Sequence, residues 1–204
     1  RRAGVPGGDI VFNGPLKTAR DLTTAFREGA TVILDGAEQV DEAIRRADAA
    51  APGMRLGIRL TPPDTQGRDL FGYTAEEARR WAGRLRDAGL EVSGVHVHLG
   101  AYQLGPLPPD GPPIHGVTVE YPVPVGRFAA AAAHARSVAD RIGGIDWLDL
   151  GGGWPAAHDL DAHVAAVRDA LAGDDRDLIL EPGRGLVRDS GWLLTQVVGL
   201  RGRD

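Results

Sequence analysis

Short apolar runs recur along the chain, separated by stretches in which apolar residues return every three or four positions. Residues 10–12, 31–34, 54–60, 92–99, 147–150 and 178–180 read as six buried strands. The stretches between them read as helices. Thr18 and Asp21 have capping-box spacing and open a helix that stops at Gly29. Residues 37–49 carry Val40, Ala43, Ile44 and Ala47 on one face. Thr74 and Glu77 form a second capping box, heading a helix that ends at Gly89 with Trp81 and Leu85 one turn apart. An alanine-rich helix is expected over 127–141 and another over 160–172. Residues 61–73 and the Pro- and Gly-rich 101–125 read as loops, and 192–200 as a strand that need not join the same sheet.

Strand and helix thus alternate, and the strands are apolar without clean alternation. That suits a parallel sheet covered by helices. Two architectures fit, an open doubly wound sheet or a (β/α)8 TIM-like barrel. The unusual residues decide between them. Asn13, Asp35, Arg59, His98, the glycines 151–153 and Glu181 all fall at or just past the C-terminal ends of strands. In a barrel those ends converge on one mouth; in an open sheet they spread along an edge. The expectation is a barrel with about six of its eight βα units, in 204 residues where a complete one takes about 250.

The formal net charge of -5 gives no general reason to expect nucleic acid or an anionic membrane as partner. Cysteine is absent, which removes disulfides, thiolate metal sites and a cysteine nucleophile from this chain. Lys17 is the only lysine, so amine-dependent chemistry has one side-chain candidate; its place in a loop or helix start reads as solvated.

Several residues could carry chemistry. Gly151-Gly152-Gly153 can turn backbone N–H groups toward an anion, or simply make a tight strand-to-helix turn. Glu181-Pro182-Gly183-Arg184 holds a carboxylate and a guanidinium in a set relation. That is a structural pair at a barrel rim, or a carboxylate facing a ring nitrogen with an arginine at a phosphate. His96 and His98 share one face of a strand; no third ligand stands at convincing spacing, so the reading is no metal, with His98 lying flat against a planar cofactor. Arg59 ends an apolar strand and needs an acidic partner or a ligand. Asp149, inside a strand, should bond backbone or arginine. His115, His134, His158 and His163 read as surface residues.

Taken in order, Gly94-Val95-His96-Val97-His98-Leu99-Gly100, Leu148-Asp149-Leu150-Gly151-Gly152-Gly153 and Glu181-Pro182-Gly183-Arg184-Gly185-Leu186-Val187 resemble the fold-type III pyridoxal phosphate (PLP) decarboxylases, the diaminopimelate, ornithine and arginine decarboxylase group. Phe12-Asn13-Gly14-Pro15-Leu16-Lys17-Thr18 resembles a segment following the third barrel strand there. The resemblance implies a barrel of the alanine racemase type and pyridoxal 5'-phosphate as cofactor. His98 and Glu181 would be catalytic, His98 stacking on the cofactor ring and Glu181 pairing with its protonated nitrogen. Gly152 and Gly153 would donate N–H groups to the phosphate, Arg184 would lie beside it, and Arg59 would order the acidic residues nearby. It further implies an amino-acid substrate, basic or diamino and diaminopimelate-like, a homodimer in the full-length protein, and a cytoplasmic location.

The chain departs from the family in four ways. Ala101 stands where a phosphate-binding serine is usual, and the 101–125 connection is long. The cofactor-bonding lysine, in a context like Ala-x-Lys-Ala-Asn upstream of Asp9, has no counterpart here. A C-terminal β domain with a catalytic cysteine loop has none either. The expectation is therefore a central piece of a longer enzyme: residues 1–191 a partial cofactor-binding barrel, 192–204 the start of a strand leading toward the second domain, and the chain inactive by itself. The alternatives are a non-catalytic barrel binding PLP or another phosphate ligand, a fold-type III amino-acid racemase, and a sugar-phosphate barrel enzyme.

Overall fold

A computed structural model describes residues 3–64, 71–99, 123–155 and 160–187. The elements run β1 (Val11–Phe12), α1 (Ala19–Arg27), β2 (Thr31–Leu34), α2 (Ala37–Arg45), β3 (Arg55–Leu60), α3 (Ala75–Asp87), β4 (Val92–Val97), α4 (Val125–Ile142), β5 (Trp147–Asp149), α5 (Leu160–Ala170) and β6 (Asp177–Ile179). The expected strand at 192–200 lies outside the described residues.

Both capping boxes form. Thr18 Oγ1 accepts from Asp21 N at 3.2 Å while Asp21 accepts from Thr18 N at 2.9 Å, and Thr74 and Glu77 repeat the exchange. The helix expected over 37–49 ends earlier, at Arg45. Arg46 leaves helical geometry (φ -117°) and its Nε bonds Thr23 Oγ1 at 2.8 Å; a 3-10 turn then covers Ala47–Ala49.

All six strands are parallel, each paired with its neighbours in sequence, in the order β1-β2-β3-β4-β5-β6. A doubly wound sheet reverses its order at a crossover; this one does not. The sheet also curls. Five spacings of a flat sheet would put β1 and β6 about 24 Å apart, yet Asn13 Nδ2, just past β1, lies 2.7 and 2.5 Å from the two carboxylate oxygens of Glu181, just past β6. The chain is a partial (β/α) barrel.

Alternation within the strands separates two environments. Val32, Leu34, Leu56, Ile58, Leu60, Val95, Val97, Leu148 and Leu150 pack into one core with the helices. The positions between them face the barrel interior. Low in the interior, the indole of Trp147 crosses Gly57 and Gly94: a Cβ on Gly57 would stand 2.5 Å from the ring, and one on Gly94 2.0 Å. Trp147 Nε1 donates to Ser93 Oγ at 3.0 Å. Ile33 completes this layer against Gly57. Above it, register brings Arg59, His96 and Asp149 side by side. The apolar residues thus fill the floor and the polar ones ring the top.

At β6 the outer face is less covered. Leu178 and Leu180 are 42% and 38% exposed. Among the described residues, no helix is long and apolar enough to cross a membrane.

Candidate functional site

The polar ring at the top of the barrel draws one group from each strand end. Asp35 follows β2 and accepts from Arg59, on β3, at 2.9 Å; its other oxygen accepts from Gly72 N at 2.6 Å. Arg59 therefore has the acidic partner its burial demands, and its guanidinium lies 5.0 Å from the Phe71 ring.

His96 is buried at 1% exposure. Neither ring nitrogen has a partner in hydrogen-bonding geometry, and Nε2 stands 3.9 Å from Glu181 Oε2. Burial, and then the charges of Arg59, His98 and Lys17, hold its pKa well below the ordinary value, so the ring is neutral at physiological pH. His98 is half-buried, its ring 6.0 Å from that of His96, and its Nδ1 accepts from Gly152 N at 3.1 Å.

Asp149 bonds backbone, as one of the two expectations had it: Oδ1 accepts from Gly151 N at 2.8 Å. Oδ2 accepts no N–H hydrogen bond; the Asp149 carboxyl instead shares a hydrogen bond with the Glu181 carboxylate. Burial first, then the Glu181 carboxylate, push this carboxyl up to about 8. Glu181 itself is half-buried and raised by burial, while Asp149, Arg59 and Asn13 pull the other way. Asp149 is thus pushed toward its protonated form, while Asp149, Arg59 and Asn13 favour the charged form of Glu181.

The glycine turn is forced by space. Gly151 has φ +59°, and a Cβ there would come 2.8 Å from His98 Nδ1 and 3.1 Å from His96 Nε2. Trp154 Nε1 donates to the Gly151 carbonyl at 2.8 Å, and the same carbonyl accepts from Glu181 N at 2.9 Å, tying the turn to the end of β6. Gly152 and Gly153 follow in the same turn.

The expected residues Arg59, His98, Gly152, Gly153 and Glu181 thus meet at one end of the barrel. Arg184 opens a single helical turn, Arg184–Val187, but its side chain lies outside the described residues, as do Ala101, His115 and His158.

Three expectations need correction. Lys17 is not solvated: it is 7% exposed, donates to the Gly14 carbonyl and to Gln39 Oε1 (3.3 Å), and burial lowers its pKa to about 8. His163 is not a surface residue: it is 6% exposed, and its Nε2 lies 3.0 Å from the Val123 carbonyl oxygen. His96 and His98 do have a third possible ligand beside them. Glu181 offers an oxygen, and the three donor atoms lie within 4.8 Å of one another.

Sequence reasoning had Asn13 at a strand end but gave it no role, and it missed Gln39. Gln39 Nε2 donates to the Pro15 carbonyl at 2.6 Å and its Oε1 accepts from Asp35 N at 3.0 Å, stitching the first two strand ends together. The glutamine's place in the first turn after Asp35-Gly36 was the available signal.

The donor set fits PLP. A carboxylate fixed by Asn13 stands beside a half-buried imidazole and a glycine turn, with the buried, unpartnered nitrogens of His96 and the Asp149 carboxyl beside it.

No family profile matches the chain. It is 32% identical to the diaminopimelate decarboxylase of Deinococcus radiodurans, over 98% of this chain and 48% of that protein. Among solved structures it resembles the arginine decarboxylase of Paramecium bursaria Chlorella virus (TM-score 0.68, 20% identity, 90% of this chain, 48% of that one). It also resembles the lysine decarboxylase of Selenomonas ruminantium (TM-score 0.65, 25% identity, 90% of this chain, 45% of that one). The chain spans about half the length of the curated relatives it matches.

Proposed function

We propose that this chain, a partial barrel of the fold-type III PLP decarboxylase superfamily, forms the cofactor-binding mouth of an enzyme that decarboxylates a basic or diamino amino acid, diaminopimelate in particular. One observation carries the reading: the Glu181 carboxylate, at the far edge of the sheet, is fixed by Asn13 from the near edge and stands among His96, His98 and Asp149. Bound here, PLP supplies an electron sink for the pair left by departing carbon dioxide.

The chain's own groups prepare that chemistry. Glu181 pairs with the protonated ring nitrogen. Burial pushes Asp149 toward the protonated form, and the hydrogen bonds from Asp149 and Asn13 and the charge of Arg59 favour ionisation of Glu181. The neutral His96 adds no competing positive charge beneath it. His98 would lie against the ring face. Gly152 and Gly153 would offer N–H groups to the phosphate, with Arg184 as a further phosphate contact; Gly152 would first have to release His98 Nδ1. Arg59, neutralised by Asp35, orders the acidic residues of the ring.

The diaminopimelate assignment draws on the 32% identical relative's name. The proposal includes a homodimer and a cytoplasmic location for the full-length protein, a barrel over 1–191, and 192–204 leading toward a second domain. A second reading, a barrel that binds the cofactor without turnover, is favoured for this chain alone by one feature: its only lysine is tied to Gly14 and Gln39.

The test adds PLP to the protein, follows visible absorbance, reduces with borohydride and measures mass. It then assays carbon dioxide release from diaminopimelate, ornithine, lysine and arginine in the full-length enzyme, with and without Glu181→Gln. The reading expects cofactor binding, no adduct on Lys17, turnover of diaminopimelate, and at least about tenfold loss of turnover in the variant. Equal turnover by Glu181→Gln refutes the role of Glu181, and an adduct on Lys17 refutes the second reading.

A further inference from the structure

His96 is an unusual residue even for this site. It is buried at 1% exposure, and neither nitrogen has a hydrogen-bond partner. A buried imidazole without partners is costly unless something else takes its lone pair. Two other donors face it, and the three donor atoms of His96, His98 and Glu181 fall within 4.8 Å of one another. His96 Nε2 and Glu181 Oε2 are already 3.9 Å apart. At zinc–ligand distances of 2.0–2.2 Å, donors in a tetrahedral shell stand about 3.4 Å apart. Closing on an ion therefore needs side-chain shifts of roughly 1 Å.

We propose that His96, His98 and Glu181 bind one zinc ion, and that zinc and PLP exclude each other from this barrel mouth. Two imidazoles and one carboxylate select a borderline-soft cation over magnesium or calcium, which prefer all-oxygen shells. Glu181 balances part of the charge, and Asp35 already neutralises Arg59, whose charge bears on both His96 and Glu181.

Binding costs one contact. Gly152 N–H now donates to His98 Nδ1. If the ion takes Nδ1, that lone pair is gone; if it takes Nε2, the proton moves to Nδ1, which then faces the amide as a donor. Either way Gly152 turns away, a small loss beside three bonds to a dication. The exclusion, unlike the zinc site, rests on the reading of Glu181 and His98 as cofactor contacts, because the same carboxylate cannot serve the ion and the ring nitrogen together.

The experiment titrates zinc alone into cofactor-free protein against a chromophoric chelator, then repeats it with cobalt to read coordination from the visible spectrum. His96→Ala and Glu181→Gln are compared, with circular dichroism as the check on folding. Glu181, half-buried at the rim, gives a variant that leaves the packed interior intact. PLP binding is then measured with and without equimolar zinc, and again after adding a chelator.

The proposal expects one equivalent of zinc, a tetrahedral cobalt spectrum, and affinity about a hundredfold lower in each variant. It also expects weakened PLP binding that the chelator restores. No uptake, or uptake undiminished in a folded Glu181→Gln, overturns the site. Zinc and PLP bound together overturn the exclusion. Failure of PLP to bind zinc-free protein refutes the proposed function instead, while one equivalent of zinc lost in both variants still supports the metal site.

Discussion

Asp149 makes the sharpest test of the electrostatics. Its carboxyl is fully buried on the inner side of β5, with Oδ1 on Gly151 N at 2.8 Å. Burial first, then Glu181, move its pKa from 3.8 to about 8. The folded protein keeps a proton there that the unfolded chain releases near pH 4. Between those values the folded state binds one proton more, so its stability falls as pH rises. The contribution is complete below the unfolded value and lost on the way up through about 8. Each pH unit in the window is worth about 1.4 kcal/mol, so from pH 5 to pH 7 the loss is roughly 2–3 kcal/mol.

Wild-type stability alone cannot display this. His96, held well below 6.5, makes the folded state bind fewer protons than the unfolded chain below that pH, which is the opposite slope. The informative quantity is the difference between Asp149→Asn and wild type. Asparagine keeps an oxygen for Gly151 N and cannot ionise. Urea unfolding at pH 5, 6 and 7 should show Asp149→Asn gaining roughly 2–3 kcal/mol on wild type across the series. A difference that stays constant with pH means that Asp149 is ionised in the folded protein, and the charge assignment to Glu181 falls with it.

Two other predictions follow from packing and burial. A Cβ on Gly94 would stand 2.0 Å from the Trp147 indole, and Trp147 is fully buried, so Gly94→Ala should destabilise by about 3 kcal/mol in urea unfolding, with recovery when Trp147→Leu is added; a single variant as stable as wild type would mean that the indole does not cross β4. Lys17 is the only lysine, so its Nζ resonance in lysine-labelled protein is unambiguous, and it should titrate near pH 8; a midpoint above 10 contradicts its burial against Gly14 and Gln39.

What the sequence made legible was local or positional. The Thr18–Asp21 and Thr74–Glu77 boxes are contained within four residues, so nothing distant could override them. The strand-end positions of Asp35, Arg59, His98 and Glu181 were readable because apolar runs stop there. The strand sequences show no clean alternation of apolar and polar residues, and the curl of the sheet reveals what the runs conceal. In Leu56-Gly57-Ile58-Arg59-Leu60 the leucines and isoleucine face the helices while Gly57 and Arg59 face inward. Alternation was present, but between large apolar and small or charged residues, because one face packs on helices and the other must leave room for an indole below and a polar ring above.

Contacts that depend on closure had no local trace. Asn13 and Glu181 are 168 residues apart. Nothing near Asn13 marks it as the partner of a carboxylate, and nothing near the His96–His98 pair names its third neighbour. Lys17 was misread for the same reason: the shell that buries it comes from Gln39, on the next helix. Once six strands are in register and curled, however, these pairings follow with little freedom. Residues two apart on a strand keep to one side, neighbouring strands align Arg59 with His96 and His96 with Asp149, and each residue two further along must enter the mouth. The site is thus set by register: moving any one of these strands by a single residue would turn its polar group into the apolar layer beneath the helices, where it would be buried without a partner.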